Sequence, residues 1–178
     1  MSKKSITKEA GLQIQQQVAE GRDRHEVLNE MKAQYFDEKR LASSIAAIPN
    51  PDKKAESQTL IYMFLAVTAM LGVFQFLYAL GLYSHEPATT TDVLIRIAAG
   101  LGVLAWTRFM AKLNGAFLQL HIVFSIGFSI GFFQHLTTVE LLFILCSGAL
   151  ALMLRLKLFP HMGFSEARKD KDGNWMLG

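Results

Sequence analysis

The chain has 178 residues, 51% of them hydrophobic and 19% charged, with a formal net charge of +3. A soluble helical bundle needs a polar face on each helix, and here the apolar residues run in long blocks while the charges collect outside them, which argues against a soluble domain. Cys146 is the one cysteine, so an internal disulfide is excluded.

Residues 1–50 read as a cytoplasmic helical module. Ile6, Ala10, Ile14 and Val18 recur every four residues, the spacing of one helix face. Gly21 stops that helix. Asp23 followed by Glu26 predicts a capping box, with Val27, Leu28, Met31 and Tyr35 as the next apolar face. Asp37 caps a third helix carrying Leu41, Ile45 and Ile48, which Pro49 and Pro51 end. Three short helices are near the lower limit for independent stability, so the module is expected to engage a partner protein. The ten basic residues of 1–58 are balanced by nine acidic ones, which argues against a nucleic-acid partner. Residues 51–58 read as a linker.

Residues 59–159 predict a bundle of four transmembrane helices, since a span needs about 20 apolar residues. The four blocks run over residues 60–83, 93–113, 117–133 and 139–159. Residues 160–178 predict a short polar cytoplasmic tail, with Asp172-Gly173 as a turn and a small hairpin around it. The expected class is therefore an all-α membrane protein: four spans preceded by a small helical module and followed by that tail. No early apolar core marks a cleavable signal peptide.

In this arrangement 17 of the 18 basic residues fall on one side of the membrane, Arg96 being the exception. Lysine and arginine near span ends set orientation. Both termini are thus expected in the cytoplasm, and the membrane is expected to be a bacterial cytoplasmic (inner) membrane.

The third span contains Ser-Ile-Gly-Phe twice in succession, residues 125–132. Residues four apart on a helix are offset by only about 40°, so Ser125 and Ser129 form one ridge and Gly127 and Gly131 another, about 160° away. Small residues at this spacing allow close helix approach in lipid. Two such faces predict a helix sandwiched between neighbours, one internal and one from a second copy, or two internal ones. His121 extends the serine ridge. With Gln75 of the first span, His121, Ser125 and Ser129 are candidates for a polar lining or for interhelical hydrogen bonds. Arg96, Asp92, Glu86 and Glu140 form a candidate charge cluster at the outer end, with an i,i+4 pair between Asp92 and Arg96 available.

No zinc-protease, nucleophile-elbow or phosphate-loop motif is present. The scattered histidines do not suggest a metal site, and the row Asp170, Asp172, Asn174 lacks the glycine and glutamate of a calcium loop. No cofactor is expected. The sequence points to a non-enzymatic membrane protein that self-associates and anchors a cytoplasmic partner, as in a bacterial defence, secretion or toxin-immunity system. The alternative is a small oligomeric ion channel or transporter.

Overall fold

The computed structural model describes residues 8–35, 37–85, 89–131, 136–163 and 166–177. Eight helices follow in order: α1 Lys8–Ala19, α2 Arg24–Lys32, α3 Glu38–Ala46, α4 Pro51–Glu56, α5 Gln58–His85, α6 Thr90–Met110, α7 Gly115–Gly131 and α8 Thr138–Leu158. A two-residue hairpin, β1 Arg168–Lys169 and β2 Trp175–Met176, ends the chain. The chain forms two compact units.

The first unit comprises residues 1–57, 114–119 and 154–178. Gly21, at φ +83°, supplies the left-handed residue after α1. The Asp23 carboxylate accepts from the backbone N–H groups of His25 and Glu26, and Asp37 accepts from Arg40 N–H, so both expected caps are present. Pro51 starts a helix rather than ending one. It occupies the first turn of α4, behind the Asn50 cap, where its missing N–H costs nothing. The supposed linker is thus largely helical. Ile14, Val18, Val27, Leu28, Leu41 and Ile45 are buried together, and Ala167 and Leu177 join the same cluster. The polar tail therefore completes the core of this unit. Arg24 fixes it: Nη1 donates to Leu177 O at 2.8 Å and to Ile45 O at 3.4 Å, and Nη2 to Ile48 O at 3.1 Å. Burial lowers the Arg24 pKa from its ordinary value, yet a guanidinium keeps its charge.

The hairpin turns where expected. Gly173 sits at φ +84°, and the Asp170 carboxylate accepts from the N–H groups of Asp172 and Asn174. The hydrogen bond between the backbone of Asn174 and Asp170 heads the causes that hold the Asp170 pKa below its ordinary value. The alternating Asp170, Asp172 and Asn174 thus build a turn. Trp175 Nε1 donates to Glu38 Oε1 at 2.9 Å, docking the strand on α3. Arg155, in the last turn of α8, is also a clamp: it donates to the carbonyls of Phe159, Met162 and Gly163 and is buried.

The second unit comprises residues 58–113 and 120–153. Residues 58–81 of α5, α6 and α8 are each long and apolar enough to cross a membrane. The protein is therefore an integral, polytopic α-helical membrane protein. The expected third span, α7, is described over only 17 residues, from Gly115 to Gly131. At 1.5 Å per residue that is about 26 Å, short of a core of roughly 30 Å. Three membrane-spanning helices are therefore established among the described residues, fewer than the four expected.

Helices α5 and α6 pack closely along their length, and glycine explains it. A Cβ on Gly100 would lie 2.9 Å from Gly72 O, and one on Gly72 would lie 2.9 Å from Leu104 Cγ. These backbones approach because neither residue carries a side chain. The packing glycines named from the sequence, Gly127 and Gly131, have nothing within 4 Å of an added Cβ.

Candidate intramembrane binding cleft

The second unit holds an open cleft of about 1060 Å³, to which all four long helices contribute. Helix α6 offers one face to it, residues 92, 95, 96, 99, 102, 103 and 106. That spacing is a helix stripe, and Leu94 and Leu101 point away, exposed.

Two polar tiers cross the cleft. In the first, Arg96 of α6 forms an ion pair with Glu140 of α8. Gln75 of α5 completes a triangle, with its Nε2 donating to Glu140 Oε1 at 2.6 Å and its Oε1 accepting from Arg96 Nη1 at 3.0 Å. The second carboxylate oxygen accepts from Thr137 N at 2.7 Å and Thr137 Oγ1 at 2.8 Å, while Glu140 N–H donates to Thr137 Oγ1. Thr137 and Glu140 thereby cap α8 reciprocally. Glu140 is fully buried, whereas the Arg96 side chain is 24% exposed. The guanidinium also lies 4.6 Å from the centre of the Tyr78 ring. A buried carboxylate in an apolar surrounding needs this much pairing, because an uncompensated charge there is very costly.

The second tier ties α6, α7 and α8. Trp106 Nε1–H donates to His121 Nδ1 at 2.9 Å. That fixes the imidazole proton on Nε2, which lies 3.2 Å from Ser147 Oγ. The Ser147 hydroxyl donates on to Ile144 O at 3.0 Å. Phe64 packs edge-on against the imidazole, with ring centres 5.2 Å apart.

His121, Ser125, Gln75, Arg96, Asp92 and Glu140, all singled out from the sequence, line this one cleft. Asp92 lines it without pairing to Arg96 in the available i,i+4 manner. Its carboxylate accepts from Thr89 N and Oγ1 in the capping box of α6, at 3.2 and 2.6 Å. Ser125 packs on α8, where a Cβ on Gly148 would lie 2.8 Å from Ser125 Cβ. Ser129 is placed apart from the lining, its hydroxyl donating to Ser125 O of its own helix at 2.8 Å. Glu86 lies outside the described residues. The sequence reading missed Thr68, Tyr78, Trp106, Thr137 and Ser147. A signal existed for Thr137, because Thr-x-x-Glu before an apolar run is a helix-start pattern. Ser147-Gly148 is likewise a small polar pair within an apolar block.

Among the described residues no three histidine, cysteine or acidic side chains are grouped to hold a metal ion. No protein-family model, curated protein or solved structure matches the chain.

Proposed function

We propose that this is a non-enzymatic, self-associating four-span protein with both termini in the cytoplasm, which anchors a cytoplasmic partner through its first unit. The observation that carries self-association is the division of α7. Its serine face is used inside the protein, with Ser125 against Gly148, while Gly127 and Gly131 face open space. A stripe of small residues exposed at membrane depth lets a second helix approach closely. The basic residues at the chain ends put the first unit inside, and a bacterial cytoplasmic (inner) membrane is the proposed setting. An anchor of this kind suits a multi-protein defence, secretion or toxin-immunity system.

The test is the mass of the protein in nanodiscs. A discrete oligomer that Gly131→Ile reduces to monomer is the expected result. A wild-type monomer would overturn self-association.

The second reading, a small channel or transporter, is favoured by the convergence of six sequence-selected residues on the cleft. It expects ion or solute flux in proteoliposomes that changes with Gln75→Leu. Wild-type vesicles no leakier than empty ones would remove it.

A further inference from the structure

We propose that the cleft holds one zwitterionic phospholipid, with its phosphate on Arg96, its ammonium beside Asp92 and its acyl chains in the slot between α6 and α7. The inference is separate from self-association through the glycine face of α7, which is another surface.

The shape of the cleft selects a lipid over a protein helix. A second copy's span would need a groove through a core of roughly 30 Å. This cleft is crossed at one level by the Arg96–Glu140 pair and at another by the Trp106–His121 hydrogen bond. Its lining on α6 goes no further than Trp106. From Arg96 to Trp106 is ten residues, or about 15 Å of helix, which is the hydrocarbon depth of a single leaflet. The volume, about 1060 Å³, lies just above the range of about 300–1,000 Å³ for small-molecule sites, in keeping with a long-chain occupant.

Polarity selects the headgroup. The cleft is polar where α6 and α8 begin, at the level of Asp92, Arg96 and Glu140, and its walls beyond are largely apolar, with Ala99, Val103, Phe124 and Ile144. A phospholipid has that same order along its length. In the deeper tier the bonds close on one another, from Trp106 through His121 and Ser147 to Ile144 O. That tier needs no polar group from a ligand. At the mouth the Glu140 carboxylate lines the cleft but is buried and already taken up by Arg96, Gln75 and Thr137. The Arg96 guanidinium beside it is partly exposed, and a guanidinium matches phosphate oxygens. Asp92 is exposed one turn away on the same α6 face. Glu140 already balances Arg96, so Asp92 leaves the mouth net negative. That disfavours an anionic head and favours one that carries its own ammonium.

The experiment is native mass spectrometry of the full chain released from nanodiscs of equal phosphatidylethanolamine and phosphatidylglycerol. One retained phosphatidylethanolamine per chain is expected, preferred by about tenfold, the ratio that corresponds to 1.4 kcal/mol. Asp92→Asn should abolish the preference while leaving a lipid bound. Ala99→Phe and Gly102→Leu fill the slot without touching the polar tiers and should abolish retention of either lipid. The proposal is overturned if the wild type keeps no lipid, if both headgroups are kept equally, or if the filled variants retain lipid as the wild type does.

Discussion

At the scale of single residues, three arginines differ in burial and in what they hold. Arg24 and Arg155 each gather several carbonyls at places where a helix or the chain end leaves acceptors unpaired. Arg96 pairs with a carboxylate instead. Replacing Arg24 by methionine keeps the stem and loses the donors. Each buried carbonyl left unsatisfied costs about 1–3 kcal/mol, so faster amide exchange across α2, α3 and the hairpin is expected. Glu140→Ala should cost about 3–5 kcal/mol, because it strands a partly buried guanidinium. Thermal unfolding in detergent would register it, and a midpoint within a degree of the wild type would contradict a structural role for the pair. Glu140 was legible as part of a charge cluster. Its full burial was not, since burial follows from how α8 meets α5 and α6, which no local pattern states.

At the scale of elements, the helices α1, α2 and α3 and their caps were legible because capping and four-residue spacing are local rules. The hairpin turn was legible for the same reason. What it docks against was not, because Trp175 and Glu38 are 137 residues apart. Lys32 and then Trp175, as hydrogen-bond donors, hold the Glu38 carboxyl below its ordinary value against the opposing effect of burial. A depressed carboxyl pKa contributes stability that is present above the unfolded value, about 4.3 for glutamate, and lost as pH falls through the folded one. Release of Trp175 is expected as pH falls through the lowered Glu38 value, read by tryptophan fluorescence in a Trp106→Phe chain. Glu38→Gln should flatten that transition. Small residues gave the opposite lesson. Gly127 and Gly131 stood out by repetition, yet the tight crossing belongs to Gly72 and Gly100. Their pairing spans two helices and shows no spacing rule. Gly100→Leu should therefore cost about 1–3 kcal/mol by overpacking, while Gly127→Leu should leave the thermal midpoint of the isolated chain unchanged.

At the scale of the whole molecule, the composition identified a membrane protein, and each compact unit draws on more than one stretch of the sequence. Residues 160–178, read from the sequence as a short polar tail, contribute Ala167 and Leu177, at 7% and 2% exposed, to the core cluster with α1, α2 and α3. Such a small helical unit cannot bury enough apolar surface alone, and the chain end supplies the missing part. A chain truncated after Met162 should consequently lose protection throughout α1–α3, while α5 and α6, which pack on each other in the second unit, keep theirs. Hydrogen exchange in nanodiscs distinguishes the two regions in one experiment. Restoring the tail with Leu177→Ala should recover only part of the protection, since removal of a buried leucine costs about 2–5 kcal/mol. Full protection of α1–α3 in the truncated chain would mean that the three helices fold by themselves. The partner-binding surface of the first unit would then have to be sought on the helices alone, without the hairpin.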